Sequence, residues 1–180
     1  VIVDWSSDVP LESVLNDELL SRYGRTVRIV RVNNEEEFAL TRAYNLGIAV
    51  ACRSVIVRVD CDHLLDSDFV QIHSLPEEIG ELENGMSSNH GAFYVGKSHP
   101  FVLPPSSLNQ VRDGVVSTGV LVVRRSDFWE VGGYDERIQT FGYEFEDLCT
   151  RLEQRAGLHR FEVGLGRVSH LIHDVSEVQE

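Results

Sequence analysis

Three short β-branched segments recur in the first third of the chain, and the two intervals between them have the apolar spacing of amphipathic helices. The strand-like segments are VIVD (1–4), VRIVRV (27–32) and SVIVRVD (54–60). The helices are predicted at 11–23 and 35–52. Strands that alternate with helices in this way are typical of parallel sheets with right-handed crossover connections. We therefore expect an α/β fold, with a mostly parallel sheet flanked by helices.

Acidic residues stand at the ends of the first and third of these strands. Asp4 ends the first, and Asp60 and Asp62 follow the third in the stretch DCD. Ligands of α/β proteins bind outside the carboxyl ends of the strands. Two carboxylates two residues apart can hold a hard cation whose shell is completed by water and phosphate oxygens. The alternative is a turn in which the aspartates accept hydrogen bonds from backbone amides, and the short DxD spacing alone favours that alternative.

Charge and cysteine content restrict the partners and the compartment. The 180 residues carry a formal net charge of −13 without a basic tract, which argues against nucleic acid or an anionic membrane surface as a partner. A phosphate ligand would need a local positive charge, for which a divalent cation is the obvious source. Cys52, Cys61 and Cys149 are widely spaced and form no CxxC pair, which is typical of a reduced, cytosolic protein. No apolar run approaches the roughly 20 residues that span a membrane.

Two histidines near the end of the sequence, His170 and His173, are three residues apart. Alone, such a pair is more often a surface feature than a metal site. Together with Asp60 and Asp62, however, it makes mixed aspartate and histidine ligation of Mn²⁺ or Mg²⁺ coherent.

The segment GYEFED (142–147) supplies three further acids, Glu144, Glu146 and Asp147, at or just before a predicted helix start. One of them could be a general base that deprotonates a hydroxyl, because burial can raise the pKa of a carboxyl group. The alternative is that these acids suit the positive end of the helix dipole.

Asp4, Arg42 and Asn45 are candidates for nucleotide contacts. Asp4 could accept a hydrogen bond from a base or a ribose, or it could be an Asx-turn residue. Arg42 and Asn45 share one face of the second predicted helix. Arg42 could offset phosphate charge, or it could pair with Glu36 or Glu37.

Taken together, these segments resemble the metal-dependent GT-A glycosyltransferases, close to family 2 and to the galactosyltransferase-like carboxyl-terminal domain. The resemblance spans nearly the whole chain, and the matching pieces occur in the family's order. They are VIVDWSSD, LTRAYNLGIAVA, VIVRVDCDHLL, STGVLVVRRSDFWEVGGYDERI, FGYEFEDLCTRLEQRAGL and SHLIHD.

The resemblance implies a role for each candidate ligand. Asp4 would contact the uracil or its ribose, and Asp60 would lie near the ribose and the metal. Asp62 would ligate the metal together with the diphosphate. His173 matches the family's late metal-binding histidine, and His170 stands at a position that can also ligate.

The chain departs from the family pattern in two places. Glu144 would lie by the acceptor sugar, but the aspartate expected next, the usual catalytic base, is Phe145 in this chain. Family members have one more strand and helix before VIVDWSSD, so residues 1–180 are expected to be a single GT-A-like domain that lacks them.

The expected function is therefore metal-dependent, inverting transfer of a sugar from a UDP-sugar to a hydroxyl of a carbohydrate or glycoconjugate acceptor. The expected setting is polysaccharide biosynthesis in the cytoplasm, at the inner face of a membrane where glycans are assembled. One alternative is a nucleotidyltransferase of the same fold, which the lack of a glycine-rich, lysine-containing loop near the start disfavours. The other alternative is a non-catalytic module that binds a nucleotide sugar or a carbohydrate.

Overall fold

The computed structural model describes residues 1–15, 21–22, 27–75, 91–101, 119–138 and 142–171. Its strands are β1 (Ile2–Trp5), β2 (Ile29–Val32), β3 (Val55–Val59), β4 (His63–Leu65), β5 (Ala92–Phe101), β6 (Val120–Arg124) and β7 (His159–Leu171). Its helices are α1 (Leu11–Val14), α2 (Leu40–Val50), α3 (Phe69–Ile72), α4 (Arg125–Glu130) and α5 (Tyr143–Gln154). No helix in these ranges is both long and apolar enough to cross a membrane.

The contacts within the chain divide it into two compact units. Val1–Ser54 and Arg125–Leu152 form the first unit, and Val55–Arg124 and Glu153–Glu180 form the second. Both mix strands and helices, so the α/β class predicted from the sequence is confirmed. That residues 1–180 are one domain stays a prediction.

The first unit contains a parallel pair of strands. β1 and β2 align Ile2 with Ile29 and Trp5 with Val32. The helix α2 packs against β1 at Gly47, where an added Cβ would lie 3.2 Å from a methyl group of Val3. A parallel β1–β2 pair agrees with the strand–helix–strand pattern of the sequence.

The second helix begins later than the sequence pattern predicts. We expected it from residue 35, but α2 starts at Leu40. Two hydrogen bonds hold the preceding acidic segment against the end of β1. The Glu35 amide donates to the Ser6 hydroxyl at 2.9 Å, and the Trp5 indole donates to the Glu37 carbonyl at 3.0 Å. These long-range bonds outweigh the helix propensity of the glutamates, and they are invisible to a local pattern.

The second unit contains a five-stranded sheet in the order β3-β6-β5-β7-β4. Only the β5–β7 pair is parallel, and β3–β6, β5–β6 and β4–β7 are antiparallel. The expectation of a mostly parallel sheet is therefore wrong here, and β3 does not extend the sheet of β1 and β2. The alternation of apolar residues identifies a strand, but whether its neighbour is parallel or antiparallel depends on the order of the strands in the sheet. In this sheet β6 lies between β3 and β5, with four of its five residues fully buried.

The core of the second unit lies on this sheet. Its buried members are Phe69, Leu75, Val120, Val122, Val163 and Val168. Burial of each of these side chains stabilises the fold by about 1.5–3 kcal/mol. The core lies against β5, β6 and β7, and β4 joins the edge of the sheet through β7 with His63 opposite His170.

Candidate metal centre

Three potential metal ligands come together in the second unit: Asp62, His63 and His170. Asp62 immediately precedes β4, and the antiparallel β4–β7 pair sets His63 directly opposite His170. One ligand atom from each residue lies within 4.8 Å of the other two. Of the sequence candidates, the structure thus brings together Asp62 and His170.

The Asp62 carboxylate contacts a nitrogen of each of two imidazole rings. Its Oδ1 atom is 2.6 Å from Nδ1 of His63, and its Oδ2 atom is 3.1 Å from Nε2 of His170. The main chain holds this arrangement as well, because the Leu171 amide donates to the Asp62 carbonyl at 2.7 Å. One carboxylate with two imidazoles is a donor set that first-row divalent metals accept.

Gly119 leaves the space that the His63 ring occupies. The ring is buried, and a Cβ added to Gly119 would lie 2.3 Å from Cε1 of His63. Any residue with a Cβ atom at position 119 would overlap this ring. A glycine that interrupts an apolar run in the sequence is therefore explained by the close approach of a histidine.

Asp60 has a different environment from Asp62. Its carboxylate forms an ion pair with the buried guanidinium of Arg58. Its main chain shapes the turn, since the Asp60 amide donates to the Gly119 carbonyl at 2.9 Å and the Asp60 carbonyl accepts from the His63 amide at 3.0 Å. Asp60 is not part of the three-residue cluster, and its role near a ribose stays a prediction.

Cys61 is not part of the three-residue cluster. Partial desolvation, together with the negative charges of Asp62 and Asp60, raises the pKa of its thiol.

The two histidines near the end of the sequence differ in that the structure describes only one of them. His170 lies in β7, whereas His173 is outside the described residues, so its role as a ligand stays a prediction. His63 is the potential ligand that sequence reasoning missed. The only local signal was a histidine directly after DCD, and its meaning depends on the pairing of β4 with β7.

Asp4, in the first unit, is buried and fully committed to its surroundings. Its carboxylate accepts hydrogen bonds from the Ser7 amide at 3.3 Å, the Leu11 amide at 2.9 Å and Nη1 of Arg31 at 2.6 Å. Hydrogen bonds from Ser7, Leu11 and Arg31 hold the pKa of this carboxyl well below its usual range. The geometry favours the Asx-turn alternative for Asp4.

Asn45 bridges α2 to the loop after α4. Its Nδ2 donates to the Tyr134 carbonyl at 2.9 Å and to Oε1 of Glu136 at 3.0 Å, and its Oδ1 accepts from the Tyr134 amide at 2.9 Å. This side chain is buried and satisfied by its own unit. Its geometry therefore favours a structural role over nucleotide binding.

Arg42, by contrast, is half-exposed. It lies 3.7 Å from Glu35 and 3.9 Å from Glu136, so the acids it contacts are not the Glu36 and Glu37 considered from the sequence. Its guanidinium also lies over the Trp5 ring, 5.6 Å from the centroid. A surface cation held against an aromatic ring can still receive an anion.

The acids of 142–147 open the helix α5, and Glu144 is the buried one. Its Oε2 atom has no hydrogen-bond partner among the described residues. The next residue, Phe145, points into the core with 3% exposure. A carboxylate at Phe145 would therefore be buried, while Glu146 in the same turn is exposed.

Asp147 serves the packing of the first unit. Its Oδ2 accepts from two nitrogens of Arg151, at 2.9 Å and 2.5 Å. The same guanidinium donates to the carbonyls of Val131 and Gly133, at 2.8 Å and 2.6 Å. The pair ties α5 to the glycine turn after α4, and this geometry favours a structural Asp147.

Comparison with known proteins agrees with this fold. Residues 106–174 match a family model described as the N-terminal domain of galactosyltransferase. The catalytic domain of Drosophila beta1,4-galactosyltransferase 7, solved with xylobiose, is 22% identical over 99% of this chain and 73% of its own, with a TM-score of 0.54. A mutant of that enzyme, solved with manganese, UDP-Gal and xylobiose, gives 22% over the same shares and a TM-score of 0.52.

A third similar structure is GalNAc-T7 with UDP, GalNAc and Mn²⁺. It is 15% identical over 96% of this chain and 38% of its own, with a TM-score of 0.56. No curated protein matches the sequence. The resemblance predicted from the sequence is confirmed, and both comparisons support a glycosyltransferase as the class of protein: this chain has the GT-A fold, with a galactosyltransferase-type segment in residues 106–174.

Proposed function

We propose that the chain is a metal-dependent, inverting glycosyltransferase that moves a sugar from a UDP-sugar to a hydroxyl of a carbohydrate or glycoconjugate acceptor. The cluster of Asp62, His63 and His170 carries this proposal, because its donor set fits a divalent cation. The proteins of similar fold that were solved with manganese and UDP or UDP-Gal support it.

The net negative charge of the protein explains why a diphosphate site in it would need a cation. A chain with a net charge of −13 repels a UDP-sugar, so a binding site for a diphosphate needs a concentrated positive charge. Asp62 and His170 would hold Mn²⁺ or Mg²⁺, joined by His173 as the resemblance implies. A bound divalent cation supplies the charge that stabilises the departing diphosphate.

Glu144 is the best candidate for the base among the three predicted acids. Its Oε2 is free of protein partners among the described residues, whereas Asp147 is paired with Arg151. It lies in the first turn of α5 and is buried. In this proposal Glu144 accepts the hydroxyl proton of the acceptor as the oxygen attacks the anomeric carbon, and in-line attack inverts that carbon.

Arg42 is the strongest candidate among the predicted nucleotide contacts, Asp4, Arg42, Asn45 and Asp60. It is half-exposed, and its distances to Glu35 and Glu136 are those of weak surface ion pairs. Asp4, Asn45 and Asp60 are already bonded within their own units.

We place the protein in polysaccharide biosynthesis on the cytoplasmic face of a membrane.

The test is UDP release from a panel of UDP-sugars, with and without acceptor, in Mn²⁺, Mg²⁺ or chelator. We expect metal-dependent release that Asp62→Ala abolishes. The exposed Asp66, a few residues further on, gives the matched control Asp66→Ala, which should keep wild-type activity. Metal-independent release, or full activity in Asp62→Ala, would contradict the proposal.

The role of Glu144 has its own test. Glu144→Gln should lower kcat by about 10²–10⁴-fold, the usual contribution of a general base, while Mn²⁺ binding stays unchanged. Glu146→Gln, which changes an exposed acid of the same turn, is the control. Equal rates in Glu144→Gln and wild type would remove Glu144 from the mechanism.

Phe145 favours a second candidate, a non-catalytic nucleotide-sugar-binding module. Its side chain fills the core at the position where the resemblance places a catalytic aspartate. Calorimetry separates the two candidates, since a binding module takes up UDP-sugar and Mn²⁺ without releasing UDP.

A further inference from the structure

We infer that His63 is a direct ligand of the metal, and that it makes the centre selective for a transition metal over Mg²⁺. This inference rests on the proposed function, because it concerns the cation that the proposed enzyme uses. It adds a residue that neither the resemblance nor the spacing of the sequence motifs assigns.

Nitrogens of His63 and His170 converge on the carboxylate of Asp62. Nδ1 of His63 and Nε2 of His170 approach different oxygens of one carboxylate, at 2.6 Å and 3.1 Å. The two rings lie with their centroids 4.8 Å apart. Two imidazole nitrogens and a carboxylate oxygen that face one another are a ligand set gathered around one point.

The fold holds His63 in this position. Its main chain is paired with β7 opposite His170, and its ring is buried against Gly119. A ligand whose backbone and ring are both fixed loses little conformational freedom when a metal binds. The protein thus presents His63 to the cation in an ordered state.

The chemistry of the donors gives the selectivity. Mg²⁺ prefers oxygen ligands in octahedral geometry, whereas first-row transition metals also accept imidazole nitrogen, with an affinity that is lowest for Mn²⁺ and rises through Co²⁺. With His63 included, nitrogens outnumber carboxylates in the cluster. Asp62 and His170 without His63 would leave an equal mixture that discriminates less.

The competing role for His63 is to position Asp62 by a hydrogen bond, without touching the metal. Both roles predict weaker metal binding when His63 is changed, so affinity alone does not separate them. The number of imidazole nitrogens bonded to the metal does, and pulsed electron paramagnetic resonance of bound Mn²⁺ counts them.

The experiment uses the full chain, stripped with chelator and titrated with Mn²⁺. The wild type should show at least two directly bonded imidazole nitrogens. His63→Gln should lose one of them and bind Mn²⁺ at least about tenfold more weakly, since even partners that do not touch the metal contribute that much. His159→Gln, which changes an exposed histidine of the same unit, should match the wild type in both respects.

Selectivity is measured by displacement of Mn²⁺ with Mg²⁺. The ratio of the two dissociation constants should favour Mn²⁺ in the wild type and should shrink in His63→Gln. An unchanged nitrogen count and an unchanged ratio in His63→Gln would overturn the inference.

Folding is controlled by the metal-free Tm of each variant. If His63→Gln does not fold, His173→Gln labelled with ¹⁵N-histidine decides instead. With His173 removed, two bonded imidazole nitrogens support the inference and a single one overturns it. Failure of the proposed function gives a different result. If Mn²⁺ binds through His63 but no UDP is released, the inference is supported and the proposed activity is wrong. If UDP is released but His63 does not bind the metal, only the inference is wrong.

Discussion

Asp4 and Asp62 both lie just after or at the end of a β-branched strand, yet their surroundings are opposite. Asp4 accepts hydrogen bonds from two amides and a guanidinium, which can only donate. Asp62 faces the imidazoles of His63 and His170, whose neutral nitrogens can bind a cation. The end of a strand thus provides a position for a carboxylate, and the partners decide between a structural acid and a candidate metal ligand.

The largest expected effect is on metal binding by Asp62→Asn. The substitution removes the only carboxylate of the cluster, so Mn²⁺ affinity should fall by more than about 100-fold, beyond the usual effect of residues that do not touch the metal. Isothermal titration calorimetry measures this. Asp4→Asn is the counterpart, and equal losses in the two variants would break the comparison.

Gly119→Ala tests whether the fold holds His63 in place. The new methyl group would overlap the His63 ring, so we expect overpacking of about 1–3 kcal/mol and at least about tenfold weaker Mn²⁺ binding. Gly96→Ala is the matched control, because its Cβ would lie 2.8 Å from Val120 in the same sheet. It should lower stability in urea unfolding while the metal affinity of the folded protein is unchanged. Normal metal affinity in Gly119→Ala would show that the ring position is not critical.

Asp4→Asn should act on stability and not on the metal. The carboxylate satisfies the start of α1 and the guanidinium of Arg31, and asparagine offers one acceptor oxygen and no charge. We expect a Tm lower by several degrees in thermal unfolding followed by circular dichroism. Arg31→Lys, which keeps the charge but not the forked geometry, should lower the Tm by less. An unchanged Tm in Asp4→Asn would mean that this network is not structural.

The smallest effect is the pH dependence that Asp4 contributes. Its pKa is lowered in the folded state, so the stabilisation is fully present above the unfolded value of about 3.9 and is lost as pH falls towards the lower folded value. Between about pH 4 and pH 2 the free energy of unfolding of the wild type should therefore fall more steeply than that of Asp4→Asn. Asp135, whose pKa Arg137 lowers, contributes in the same direction and is present in both proteins. Parallel pH curves would remove Asp4 as a source of acid sensitivity.

Sequence reasoning identified the class of the fold and two of the three residues of the candidate site, for reasons that can be named. The strands at VIVD and VIVRV follow from β-branched alternation, and Asp62 and His170 follow from motif order along a GT-A-like chain. It failed where a long-range contact decides the outcome. Glu35 forms no helix because Ser6, distant in sequence, accepts its amide hydrogen bond.

The site shows the same division. The sequence by itself identified Asp62, His170 and the acids of 142–147 as possible ligands or bases, and it showed that strands and helices alternate at the start, because these depend on composition and on spacing within a few residues. Only the tertiary structure decided that β3 pairs antiparallel with β6, that Asp4 and Asn45 are consumed by internal hydrogen bonds, and that His63 faces His170. The physical reason is that a side chain's role depends on its neighbours in space, and the pairing of β4 with β7 joins residues more than a hundred positions apart.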